Sequence, residues 1–229
     1  MTELLDLTMT VRSGMPVLPT HAHTVLYPTS SHEEMAAAGW PSTFAVEGLH
    51  MSTHEGTHVD VPYHCDPSGP AVTDLPISAF TGPATCLDLT GVPNSELIEV
   101  AALEQATAAP ERDVRAGDHV LLFTGHHERS YGTRSWFRHT GLSEASSRWL
   151  AARGVAGVGI DAPSLDSSRE ARRGVYPAHQ VLLVEHRIPL VENLVGLRQV
   201  AGRRFRYTGF PLRLEGCGGA PVRAVAELL

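Results

Sequence analysis

The sequence predicts a mixed α/β fold, and three observations lead there. Short apolar runs of strand length recur along the chain, with His119–Phe123 and Val155–Ile160 the most continuous. Segments with helix-start and helix-stop chemistry stand between them, such as Ser143 ahead of Glu144–Arg153 with Gly154 behind. The chain has 229 residues, 42% of them hydrophobic, enough for the core of one domain over 1–229.

Taken in order, Leu4–Met9 reads as a short strand. Gly14–Ser31 reads as loop, because Pro16, Pro19 and Pro28 interrupt any long element. Glu33–Ala38 reads as a short helix stopped by Gly39. Thr43–Met51 alternates as a strand does. Ala84–Leu89 is a strand, Leu97–Thr107 a helix and His119–Phe123 a buried strand. The polar stretch His126–Arg129 reads as a loop at that strand's end, one that either carries binding groups or is simply exposed. Helix 144–153 and strand Val155–Ile160 follow. Pro177 suits the first turn of a helix over Ala178–Arg187. Strands are expected at Ile188–Leu194, Phe205–Leu214 and Pro221–Ala226. Glu215–Gly219 reads as a flexible turn between the last two.

Composition excludes several functions. The net charge is −7, so no basic footprint for nucleic acid or anionic membrane exists. All 18 basic residues are arginine, which rules out a Schiff-base lysine and a P-loop lysine. Three widely spaced cysteines do not form a disulfide framework. A reducing cytoplasm is expected, with no signal segment and no membrane span.

The chemistry concentrates in Ser52–Gly69, STHEGTHVDVPYHCDPSG, which carries His54, His58, Asp60 and His64. All four fall on even positions, so an extended chain turns them to one face. His58 and Asp60 would stand ~6.6 Å apart along a strand, close enough to share an ion. His54 and His58 would be about 13 Å apart on a straight strand, too far for one metal. The chain must bend between them, and Gly56 is where it can.

His54-Glu55-Gly56-Thr57-His58 also spells the H-E-x-x-H of helical zinc proteases. That motif needs a helix to align its histidines. Gly56, the β-branched Thr57, Val59 and Val61, and Pro62 oppose one. No methionine follows Met51, so the later methionine turn of the longer protease motif is missing. A bent, non-helical segment over Thr53–His64 is expected instead.

The stretch H-x-G-T-H-x-D-x-P-x-H, complete from His54 to His64, resembles the signature of the metal-dependent cyclase family, whose members include bacterial kynurenine formamidase and isatin hydrolase. Gly159-Ile160-Asp161-Ala162-Pro163-Ser164-Leu165-Asp166 and the end around Arg223 are similar to that family too. The resemblance implies a β-barrel-like central sheet with outer helices, of the swivelling β/β/α type, assembled as a homodimer or homotetramer. It implies that His179, at a helix start, and Glu192, on the next strand, join His54, His58 and Asp60 as metal ligands. The spacing of His179 and Glu192 is one residue longer than the resemblance implies, leaving Glu185 as a competitor. Asp161 could hold a ligand histidine or simply cap a turn.

Such donors suit Zn2+ or Mn2+, one or two per chain, and the two oxygens of Asp60 can bridge a pair. A metal lowers the pKa of bound water from about 15.7 to about 7, providing hydroxide at neutral pH. His64, two residues beyond Pro62, is the expected general acid/base. The expected activity is hydrolysis of a small-molecule amide, or of a cyclic amide or lactone. N-formylkynurenine cleavage, as by an arylformamidase, is one form; isatin hydrolase- or lactonase-like activity is another. The contrasting reading is a metal-binding interaction domain without catalysis. Trp40, Phe44, Trp136 and Phe137 are candidate pocket aromatics, with His21 and His23 expected as solvated loop residues.

Overall fold

The chain closes a β-barrel with strands drawn from both of its ends. In the computed structural model, which describes residues 2–109 and 112–228, the strands are β1 (Glu3–Asp6), β2 (Val25–Ser30), β3 (Val46–His50), β4 (His58–Asp60), β5 (Thr81–Asp88), β6 (His119–Phe123), β7 (Gly157–Ile160), β8 (Leu190–Glu192), β9 (Arg204–Pro211) and β10 (Gly219–Leu228). The ring runs β10-β4-β8-β7-β6-β5-β9 and returns to β10, seven strands in all, with β1 added to β10 outside the ring. Closure depends on the length of β10. Its start, Gly219–Pro221, pairs with β4, and Val222–Glu227 pairs with β9. A closed ring leaves no open edge for another chain to extend.

β5, β6, β7 and β8 are mutually parallel. Parallel neighbours need long crossovers, and these carry the helices. They are α2 (Val100–Ala106), α3 (His126–Ser130), α4 (Glu144–Ala152) and α5 (Ser168–Ala171), then a π-helix, His179–Glu185. α1 (His32–Ala37) lies apart, between β2 and β3. Ser143 caps α4 as expected, accepting from the Ser146 N–H.

Strand alternation divides the core in two. Cys86, Leu121, Phe123, Val59, Val191 and Val222 fill the barrel. Leu87, Val120, Leu122, Val158 and Leu190 point outward, against Leu103 of α2, Leu150 of α4 and Leu182 of the π-helix. Strands covered on both faces read as continuous apolar runs, which is why β6 was legible.

Three expectations are corrected. Gly14–Ser31 is not all loop: β2 pairs with β3 as a two-stranded hairpin, tolerating Pro28 beside a register shift. His126–Arg129 forms most of the short helix α3. The helix expected over Ala178–Arg187 is wider than an α-helix; the His186 N–H donates to Val181 O, five residues back. Glu185 sits at that helix's far end, paired with Arg148 and removed from the histidine cluster. Among the described residues, no helix is long and apolar enough to cross a membrane.

Candidate metal centre and active site

Val59 and Val191 face the barrel interior, so their neighbours His58, Asp60 and Glu192 face outward, toward the π-helix. His58 is the cross-strand partner of Glu192, and Asp60 that of Leu190. The motif is not helical: β4 is followed by a single 3-10 turn at Pro62–His64. Gly56 makes the bend, with φ +65°. The rings of His54 and His58 are thereby brought to 5.4 Å between centroids.

The bend is tied down from three sides. Gly56 O accepts from His58 Nδ1–H at 3.0 Å and from the Asn193 amide at 3.0 Å. The Thr57 hydroxyl donates to Asn193 O at 2.6 Å and accepts from the Met9 N–H at 2.8 Å. Asn193 adopts φ 58°, a conformation that asparagine tolerates better than most residues. With Nδ1 of His58 committed to a carbonyl, its Nε2 is left for the site.

Around that nitrogen the acidic groups converge. His58 Nε2 is 3.3 Å from Asp60 Oδ1 and 3.6 Å from Glu192 Oε2. His179 Nε2 is 3.5 Å from Asp60 Oδ2 and 3.7 Å from Glu192 Oε1. His54 Nδ1 is 2.6 Å from Asp60 Oδ1. The backbone N–H of Leu165 donates to Glu192 Oε1 at 3.1 Å and fixes that carboxylate. All five side chains expected as ligands are therefore brought together.

Electrostatics favour a cation there. Burial alone would lower the pKa of His58, but the charge of Asp60 and then of Glu192 raise it to about 9. His179 is raised well above its usual value against the same burial, by its hydrogen bond to Asp166 and by the nearby carboxylates of Asp60 and Glu192. Burial would raise Asp60, yet the surrounding histidines hold it well below the carboxylate range. Burial, then the charge of Asp60, push Glu192 up to about 7. Protons on imidazole are balancing two buried carboxylates, a role a divalent cation fills better. Asp60 Oδ2 is buried without a hydrogen-bond partner among the described residues. An orphaned carboxylate oxygen among imidazole nitrogens fits a missing metal contact. Two donor groups, His54/His58/Asp60 and Asp60/His179/Glu192, share Asp60, so the set has room for one ion or two.

Several contributors lie far away in sequence. Asp166, not Asp161, holds the ligand histidine: its carboxylate accepts from His179 Nδ1–H at 2.5 Å and from the Ala178 N–H at 2.6 Å. Asp161 instead accepts from the Thr124 hydroxyl and N–H, tying β7 to β6. Asp166→Asn keeps an acceptor for Ala178 but removes the charge behind His179. Metal affinity should fall about 10–100-fold, read by competition with a chromophoric chelator.

Gly219 lies under His54. A Cβ there would sit 2.5 Å from His54 Cε1 and 2.7 Å from Val59 O. Gly218 likewise admits the backbone of His64. Glu215 and Gly216 form an exposed turn as expected, but Gly218 and Gly219 behind them are packed beneath the histidines. Gly219→Ala should displace His54 and slow turnover by about 10²-fold with the circular dichroism spectrum unchanged.

The cluster lies at the base of a cavity of about 690 Å3. His64 stands at its mouth, exposed as a residue, with its ring 4.0 Å from that of His54 and 5.7 Å from that of His179. The protein packed around the ring pushes its pKa down to about 4, against the pull of Asp60. Exposure moderates that shift; in either case the ring is neutral at pH 7. Phe137 lines the cavity, joined by Tyr176 and His139, neither of which was expected there, and by His21. His21 donates through Nδ1 to buried Glu55 at 2.6 Å, so it is no solvated loop residue. Trp136 is buried, stacked on His126, and Trp40 and Phe44 are exposed on the β2–β3 arm. The His126–Arg129 stretch lies outside the cavity.

Known proteins resemble this chain in sequence and in fold. Residues 5–167 match the family model described as "Putative cyclase". Kynurenine formamidase of Bacillus cereus is 33% identical over 177 residues, 77% of each chain. Isatin hydrolase A from Labrenzia aggregata superposes with TM-score 0.86 at 22% identity, covering 99% of this chain and 94% of that one. A structure described as a potential metal-dependent hydrolase with cyclase activity superposes with TM-score 0.75 at 26% identity, covering 99% and 98%. The family match ends before His179 and Glu192, which the fold itself carries to the same cluster. On a family match over most of its length and a relative one-third identical, the chain belongs to the cyclase family.

Proposed function

We propose that the protein is a metal-dependent hydrolase of a non-peptide carbon–nitrogen bond, acting as an arylformamidase on an N-formylkynurenine-like amide. The observation that carries this reading is the buried His54, His58, Asp60, His179 and Glu192 set, with Asp60 Oδ2 unpartnered, at the base of a substrate-sized cavity. These five residues would hold the cation, Zn2+ or Mn2+, one or two per chain. When bound, it supplies Lewis acidity and a water that ionises near neutral pH.

The chain's own groups do the rest. His64, neutral and at the mouth, accepts a proton on its free ring nitrogen and returns it to the departing amine. Asp166 keeps the proton of His179 on Nδ1, so that Nε2 faces the centre. Phe137 and Tyr176 offer aromatic walls for a planar substrate. A cyclic amide or lactone would meet the same groups, so isatin hydrolase- or lactonase-like turnover is the alternative. A purely metal-binding interaction domain would have no use for a proton carrier at the rim.

The test is turnover by metal-loaded protein on N-formylkynurenine, isatin and small lactones. Hydrolysis of the formamide above the other two is expected. Turnover of none would support the non-catalytic alternative.

We also read 1–229 as one domain, because β1 and β10, from opposite ends of the chain, complete one sheet. We propose a cytoplasmic location, which the three free cysteines support. A homodimer or homotetramer is supported by the arm, where Leu26, Tyr27, Trp40, Phe44 and Leu49 are all exposed. Light scattering should give a mass above one chain.

A further inference from the structure

The donor atoms at this site do not end with the buried five. Cys65 follows His64 directly, and its thiol stands in the cavity wall. The backbone N–H groups of His64 and Cys65 donate to Val61 O at 2.8 Å and Pro62 O at 3.1 Å, fixing the tight turn that presents both side chains. The Cys65 sulfur and one ring nitrogen each of His64 and His179 lie within 4.8 Å of one another. A tetrahedral zinc, with bonds of about 2.0–2.3 Å, needs donors roughly 3.5 Å apart. A shift of about 1 Å by two rim residues would close the set.

We propose that His64 and Cys65, competing with the buried carboxylates for His179, form an inhibitory position for thiophilic cations. The inhibitory part rests on the hydrolase reading above. Three features set the behaviour of this position. Its character is soft, since a thiolate favours zinc-like ions over manganese, whereas the buried set offers only imidazole and carboxylate. It overlaps the buried centre through one atom. Nδ1 of His179 is held by Asp166, so only Nε2 can bind, and that nitrogen already faces Asp60 and Glu192. It also consumes the proton carrier, because an ion on the free nitrogen of His64 occupies the lone pair used for proton transfer. On binding, the Cys65 thiol releases its proton to solvent and sulfur donates the electron pair to the cation.

The consequence is selective. Zinc or cadmium beyond the resident ion should inhibit, and excess manganese should not. The other two thiols lie outside the cavity lining: Cys86 is buried inside the barrel, and Cys217 is half-buried elsewhere.

The probe is cadmium, titrated into full-length protein carrying its resident metal. Two signals are followed: the ultraviolet charge-transfer band of a cadmium thiolate, and activity relative to each protein's own starting rate. Wild type and Cys217→Ser should both develop the band and lose activity together. Cys65→Ser should lack the band and need at least about 10–100-fold more cadmium for equal inhibition. His64→Ala should keep a band at weaker cadmium affinity. A band that survives in Cys65→Ser, equal inhibition of Cys65→Ser and wild type, or unchanged affinity in His64→Ala would each overturn the proposal. If the protein turned over no substrate, the proposed function would fall, and the band alone would decide whether the position exists.

Discussion

Asp60→Asn is expected to abolish metal retention and activity together. Asp60 is 1% exposed, and its two oxygens face different partners. Oδ1 approaches His54 and His58, while Oδ2 faces His179 without a hydrogen bond. Asparagine keeps the shape, removes the charge and turns one oxygen into a donor aimed at ligand nitrogens. Loss of an outer partner costs about 10–100-fold in affinity, and loss of this shared carboxylate should exceed that. Elemental analysis after dialysis gives the stoichiometry. A second readout needs no metal: without the charge of Asp60, the pKa of His58 in the metal-free protein should drop from about 9, followed by NMR titration. Full metal occupancy in Asp60→Asn would remove Asp60 from the ligand set.

His64→Ala should divide binding from turnover. The ring touches the cluster from the cavity side and is not needed to balance its charge. Metal content should stay close to wild type, while kcat falls by about 10²–10⁴-fold. The loss should fall on kcat and not on KM, since a proton is needed in the transition state. A substrate whose leaving group departs without protonation should suffer less. Parallel loss of metal would make His64 a ligand. Unchanged kcat on both substrates would pass the role to His21, a cavity histidine outside the ligand set that is backed by Glu55. The His126–Arg129 stretch does not line the cavity.

The site was legible in sequence wherever one short segment carried the geometry. Even spacing from His54 to His64 placed His58 and Asp60 on one face, and Gly56 marked the bend that joins His54 to them. The same glycine and Pro62 ruled out the protease helix. The barrel, with His179 and Glu192, came from resemblance, because no local pattern links residues 58 and 192. What stayed hidden depends on contacts across the fold. Asp166 and Asp161 end the same motif stretch, and only the path of the chain into the π-helix decides which meets His179. Gly218 and Gly219 look like a loose turn until β10 lays them beneath His64 and His54. β2 was hidden by Pro28, which only an edge strand beside a register shift accommodates. The aromatics Trp40 and Phe44 were misplaced for a related reason: their hairpin leaves the barrel instead of lining its cavity.

The proposed function places a divalent cation among His54, His58, Asp60, His179 and Glu192. Anomalous diffraction from crystals of the metal-reconstituted protein measures this directly, with data on both sides of the metal's absorption edge. The account predicts a strong peak about 2 Å from Asp60 Oδ2 and from His179 Nε2. A second peak, if two ions bind, should touch His54, His58 and Asp60 Oδ1. A fully reconstituted crystal with no anomalous peak among these residues, or with its only peak elsewhere on the protein, would contradict it.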